Sequence, residues 1–252
     1  MPKENDVVVS IEIAAPPHIV HSFFADPVRF AQWLGHDAVL SKSGFRIPNP
    51  DGSAATGSID ASSLDRITMS YGYENSAHGI APGSTQVEVR LRATSAGTSV
   101  ELVHSGLATE EQRRNHAMGW KFYVGALANA AASVFLGDVA ERVADSYMLA
   151  WAATDAAERS RILEECWADD GVFKDGMGYA GGRSAMDAYI GNAQRFMPGV
   201  ALSRSGPVIR SHGHILFEWQ TALPDGTVVG HGWNVGVLDS STQLKEMVGF
   251  AG

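Results

Sequence analysis

The chain has a single cysteine, Cys166, in 252 residues. No intramolecular disulfide can form, so cross-linking is not what holds the fold. Cations are scarce, with 19 Lys and Arg against 28 Asp and Glu, and the net charge of −9 is spread without long runs. A chain with that balance has no electrostatic footprint for nucleic acid or an anionic membrane, and neither is expected as a partner. No apolar run approaches the roughly 18 residues of a spanning helix. The opening "MPKENDVVV" also lacks the apolar stretch of a secretion signal, so the chain reads as soluble and cytoplasmic. Nine histidines occur, "HGH" at 212–214 among them, but no HxxxH or Cys/His spacing supports zinc, and no metal or other cofactor is expected. "GYAGG" (178–182) has no lysine to complete a phosphate loop. It reads as a flexible connection.

Against these absences stands a 45% hydrophobic content, enough for a sizeable core, on a length suited to two domains. "VVVSIEIAA" (7–15) alternates like a half-buried strand. "PPHIVHSFFADP" puts prolines in a first helical turn and stops at Asp26-Pro27, and "VRFAQWLG" is a second short helix. From 38 to 105 short strand-like pieces alternate with turns such as "NPDG" (49–52) and "APGS" (81–84). Val87, Val89 and Leu91 share one face and Glu88, Arg90 and Arg92 the other. Val100, Leu102 and His104 repeat the alternation, so the predicted sheet has one apolar and one wet face. Thr109 followed by Gln112 is a capping-box spacing, after which Trp120, Val124, Leu127, Ala131 and Val134 recur at helical intervals. A long helix is predicted from 110, with His116 and Trp120 on the face toward the sheet.

Near "FLGDVAERV" (135–143) the pattern restarts, with Gly137 ending one helix and Asp138 capping the next, which divides the chain into domains 1–136 and 137–252. Two amphipathic helices, "VAERVADSYMLAWAA" and "AERSRILEECWA", precede the strand "GVFKD" and a third helix, "SAMDAYIGNAQRF". Four strands follow, the second and third joined by "PDG" (224–226). Both halves are therefore α+β. Cys166, beside Trp167, is expected to be buried and inert.

Strand, two short helices, antiparallel strands and a long helix is the order of the helix-grip fold. "IEIAAPPHIVHSFFADPVRFAQWLG", "TSVELVHSGL" and "HAMGW" resemble the START-like (SRPBCC) branch named for activators of the heat-shock chaperone ATPase, over about residues 7–135. The resemblance implies a small apolar or aromatic molecule held between sheet and long helix. "AWAATDAAERSRILEECWADDGVFKDGMGYAGG", "FEWQTALPDGTVVGHG" and "MVGF" resemble the SnoaL-like group of cone-shaped α+β barrels, which includes polyketide cyclases and has steroid isomerases as cousins, over about 138–252. By that likeness Asp175 stands where the cousins shuttle a proton, Tyr147 where they carry an oxyanion-hole tyrosine, and Asn234 where they carry a protonated aspartate. An asparagine still donates a hydrogen bond, and a preorganised donor of this kind is worth roughly 3 to 4 kcal/mol. The same three residues also suit an inert core.

Candidate lining of the first cavity is Trp33, Phe45, Met69, Tyr71, Tyr73, His104, His116 and Trp120, although a histidine on an apolar face is more often a hydrogen-bonded core residue. Around the "PDG" hairpin, pairing is expected to bring Trp219 near His231 and Phe217 near Trp233, with Leu216, Glu218 and Asn234 on the other side. A bulge at Gly230–Gly232 would reverse part of that phase, so which of Glu218, Trp219, His231 and Trp233 meets a ligand stays open. Three functions follow in order: a two-cavity binding protein for a small apolar or aromatic molecule; a cyclase or isomerase using Asp175 as general base; and a chaperone-interacting module. An exposed aromatic side would suit an interface, including a homodimer through the second domain's sheet.

Overall fold

The computed structural model describes residues 3–137 and 139–252. They form two compact units, Met1–Phe135 and Leu136–Gly252. Asp138, read above as a helix cap, lies outside the described residues.

The first unit runs β1 (Val7–Ile13), α1 (Pro17–Ala25), α2 (Pro27–Leu34), β2 (Val39–Ser41), β3 (Gly44–Pro48), β4 (Ala54–Gly57), β5 (Ile59–Asp60), β6 (Arg66–Tyr73), β7 (Thr85–Thr94), β8 (Gly97–Ser105) and α3 (Glu110–Leu136). Its sheet is ordered β1-β8-β7-β6-β4-β3-β2, with β5 also on β6. The period-2 pattern works as read. Val87, Val89, Leu91, Val100, Leu102 and His104 are all buried, while Glu88 pairs with Arg66 and Arg90 on the other face. Asp26 ends α1 and caps α2, its carboxylate accepting the N–H groups of Val28 and Arg29. The capping box at α3 is complete. Thr109 Oγ1 accepts the Gln112 N–H at 3.1 Å, and Gln112 Oε1 accepts the Thr109 N–H at 3.2 Å. From there α3 lays Trp120, Val124, Leu127 and Ala131 into the same core as Val87 and Leu102.

The second unit runs α4 (Val139–Ala152), α5 (Ala156–Cys166), β9 (Trp167–Lys174), β10 (Tyr179–Gly181), α6 (Arg183–Phe196), β11 (Ala201–Arg204), β12 (Ile209–Ser211), β13 (His214–Ala222), β14 (Val228–Leu238) and β15 (Leu244–Ala251). The sheet is ordered β10-β9-β15-β14-β13-β11, with β12 on β13. All its pairs are antiparallel except β15 with β9. The α+β class is the expected one, but among the described residues the sheet stays open, ending in the short strands β10 and β11 rather than closing a barrel. Two local expectations are corrected. Trp167 starts β9 instead of ending α5. "GYAGG" is not a loose connection, since Tyr179–Gly181 forms β10 against β9. The cause is Asp175, whose Oδ1 accepts the N–H groups of Met177 and Gly178 and so folds the chain back into a hairpin.

Cys166 is buried, and burial pushes its thiol up to about 12, which leaves no thiolate at neutral pH. Among the described residues no single helix is long and apolar enough to cross a membrane.

Candidate functional site

In the first unit a pocket of about 580 Å³ opens beside α3, a size typical of small-molecule sites. Strand periodicity brings Tyr71 and Tyr73 of β6 to one face, and helical spacing brings His116, Trp120 and Tyr123 of α3 to another. Both faces line the pocket. The turn between β3 and β4 contributes Asp51, and the segment after β6 contributes His78. Gly119, on the inner turn of α3, leaves open space where a side chain would stand.

The polar atoms of this wall are spent on each other. A carbonyl only accepts, so the 2.8 Å contact from His116 Nδ1 to the Gln112 carbonyl fixes the proton on Nδ1. His116 Nε2 then accepts from the Tyr73 hydroxyl at 3.1 Å, and that hydroxyl accepts from Tyr71 at 3.4 Å. Behind the wall the Trp120 indole N–H donates to His104 Nδ1 at 3.0 Å. His104 must therefore carry its proton on Nε2, which donates to Thr85 Oγ1 at 2.8 Å, and Thr85 donates to the Tyr71 carbonyl at 2.8 Å. Both rings are neutral in this arrangement. Burial, with the neighbouring His116 adding to it, drives His104 down to about 3. Burial also lowers His116 and raises Tyr71, Tyr73 and Tyr123.

The mouth is different in character. His78 Nε2 lies 3.2 Å from Asp51 and 3.1 Å from the Ser53 hydroxyl, and its carbonyl accepts from Gln112 Nε2 at 3.0 Å. The hydroxyl and amide of Ser53 hold the exposed Asp51 carboxyl below its ordinary value. Asn75, Ser76 and His78 all have left-handed backbone, with φ of 56°, 53° and 59°. Such conformations persist in non-glycine residues only where surrounding contacts impose them.

Of the residues named from sequence, Tyr71, Tyr73, His116 and Trp120 line the pocket. His104 stands one layer behind, fully buried and edge-on to Tyr71 and Trp120. Trp33, Phe45 and Met69 belong to the core. The Trp33 indole donates to the Phe23 carbonyl, and Phe45 packs between Phe30 and Tyr71. Sequence reasoning passed over Tyr123, although it lies three residues beyond Trp120 on the same helical face. It also passed over Asp51 and His78, whose turns carry no periodic signal.

In the second unit Tyr147 is wholly buried, stacked on Trp167 with centroids 5.9 Å apart and edge-on to Phe217. Burial raises its hydroxyl. A Cβ placed on Gly249 would stand 3.2 Å from Asn234 Oδ1, 3.5 Å from Asp175 Cβ and 3.7 Å from Phe173 Cζ, so these three side chains meet over one glycine. Tyr189, a residue sequence reasoning missed, donates its hydroxyl to both Asp175 oxygens at 2.8 and 2.9 Å. Trp151 packs against Phe173 and Tyr189, and its buried indole N–H has no acceptor among the described residues.

The β13–β14 register corrects the expected faces. Near the turn Ala222 pairs with Val228, but a bulge between Thr221 and Ala222 shifts everything beyond it by one residue. Trp219 then opposes Gly232, Phe217 opposes Asn234, and Glu218 opposes Trp233. A one-residue slip exchanges the faces of a strand. Phe217 and Asn234 are buried with Trp219 on their side, while Glu218, His231 and Trp233 stand exposed. There Trp233 donates its indole N–H to Glu218 at 3.3 Å.

Residues 14–132 match the family model described as activator of Hsp90 ATPase homolog 1-like protein, AHSA1. That stretch is similar to the AHSA1 family. Every residue lining the pocket lies within the stretch. No curated protein matches the chain. Among solved structures, an AHSA1-like protein from Rhizobium etli is 29% identical over 52% of this chain and 86% of its own, with a TM-score of 0.38. The Aha1 dimer from Colwellia psychrerythraea is 14% identical over 52% of this chain and 97% of its own, with a TM-score of 0.43. A putative isomerase of the SnoaL-like family from Agrobacterium tumefaciens is 24% identical over 45% of this chain and 97% of its own, with a TM-score of 0.44.

Proposed function

We propose that the first unit is a binding module for a small aromatic or apolar molecule seated in the pocket beside α3. One observation carries this reading: five rings, Tyr71, Tyr73, His116, Trp120 and Tyr123, form one wall of an open pocket of about 580 Å³, and four of them have already committed their polar edges within the protein. Such a wall offers ring surface and little hydrogen bonding, and it gains by excluding water from apolar guests. Ligand-observed NMR on the whole chain, with a panel of one- and two-ring compounds, tests it. Saturable binding of at least one member is expected, and its absence across the panel overturns the reading.

A second reading, proton transfer in the second unit, is favoured by the meeting of Asp175 and Asn234 over Gly249, where a carboxylate and an amide donor could share one carbonyl substrate. Working against it, Tyr189 and two backbone N–H groups already occupy the Asp175 carboxylate. If Asp175 is a general base, Asp175→Asn lowers turnover of an enolisable ketone by roughly 10²- to 10⁴-fold. Absence of turnover by the unaltered protein across a ketone panel removes this reading.

A further inference from the structure

We propose that the guest of the first unit carries a positive charge: an aromatic or alkyl amine, or a quaternary ammonium, whose cationic end sits against the rings. The inference rests on the binding reading above and concerns the chemical class of the ligand. Three features of the same pocket point to it. The first is ring geometry. Tyr71 lies 5.7 Å from Tyr73 and 5.7 Å from Trp120, and Trp120 lies 6.3 Å from Tyr123, with interplanar angles of 89°, 60° and 63°. Neighbours so inclined at this spacing are in edge-to-face contact, so the wall they present to the pocket is angled rather than flat, which suits a compact rounded group better than a stacked plane.

The second feature is where the hydrogens of the wall point. The Trp120 N–H is taken by His104, the Tyr71 hydroxyl by Tyr73 and the Tyr73 hydroxyl by His116. With those hydrogens taken, what the rings present at the pocket surface is carbon rather than polar hydrogen. A ring face attracts a cation within about 6 Å of its centroid, Trp most strongly, and the attraction grows where the cation is desolvated. The third is the makeup of the rim: Asp51 and Glu111 line the pocket and no lysine or arginine does. An anion would meet two carboxylates and no lysine or arginine. A neutral guest would gain the apolar contact alone. A cation gains the contact, the ring faces and the rim together.

The probes are benzyltrimethylammonium, its uncharged carbon isostere 2,2-dimethyl-1-phenylpropane, and phenylacetate as the anion, titrated into the whole chain. The cation is expected to bind about 10- to 30-fold more tightly than the isostere, and phenylacetate more weakly than either. Asp51→Asn with Glu111→Gln, both at exposed positions, is expected to weaken the cation about threefold or more at low salt while leaving the isostere unchanged. Tyr123→Leu, at a half-buried position, is expected to narrow the preference while the protein stays folded. If the isostere binds as tightly as the cation, the inference is overturned and the pocket reading stands. If no probe binds, the binding reading itself fails.

Discussion

Between pH 7 and pH 5 the first unit is expected to lose about 2 kcal/mol of stability through His104 alone. The ring has no exposed surface and both nitrogens are committed, Nδ1 as acceptor from Trp120 and Nε2 as donor to Thr85. Adding a proton would place two N–H groups face to face at 3.0 Å. Its folded value of about 3 lies below the ordinary 6.5, so between those two pH values the unfolded chain binds the proton and the folded chain does not. Stability is therefore fully present above about pH 6.5 and declines as pH falls toward 3. His116, lowered in the same direction, adds to the slope. Urea unfolding at pH 7 and pH 5, followed through a probe in the first unit, reads it. In His104→Gln the amide can accept from Trp120 and donate to Thr85 without titrating. That variant is expected to be less stable at pH 7 and to lose most of the dependence. A slope unchanged in the variant would assign the acid sensitivity elsewhere.

Filling the pocket should abolish binding while making the protein more stable. Gly119 sits inside α3 with open space at its Cβ position, and it lines the cavity. A glycine within a helix costs roughly 0.5–1 kcal/mol relative to alanine, and leucine is nearly as good a helix former. Gly119→Leu is thus expected to raise the unfolding free energy by up to about 1 kcal/mol and to reduce affinity for any pocket ligand at least about tenfold, because four added carbons occupy the guest's volume. Most substitutions that remove function also destabilise, so this opposite pairing is diagnostic. A stabilised variant that still binds normally would place the guest somewhere other than beside α3.

Much of the first unit was legible because its signals are local. The Thr109–Gln112 box, the spacing of His116 and Trp120, and the alternation through Val87–Leu91 and Val100–His104 each depend on neighbours a few residues apart, and each appears as read. What escaped depends on long-range closure. Tyr189 reaches Asp175 across 14 positions from a helix whose own pattern marks only amphipathicity. His78 approaches Asp51 across a sheet edge through backbone of an unusual hand. The β13–β14 register turns on one extra residue, Val229, next to the turn. That residue settled which of Trp219 and Trp233 faces inward. Cavity lining was the hardest property to foresee. Trp33 and Phe45 have the same composition signal as Tyr71 and Trp120, and only packing separates a wall from the core behind it.

The central claim is that a small guest enters the space lined by Tyr71, Tyr73, Trp120 and Tyr123. Intermolecular NOEs between a saturating aromatic probe and the isotope-labelled whole chain test this most directly. The account predicts cross-peaks from probe protons to the rings of those four residues and to the Hα of Gly119. Cross-peaks confined to the second unit, at Tyr147, Trp151 or Phe173, would contradict it.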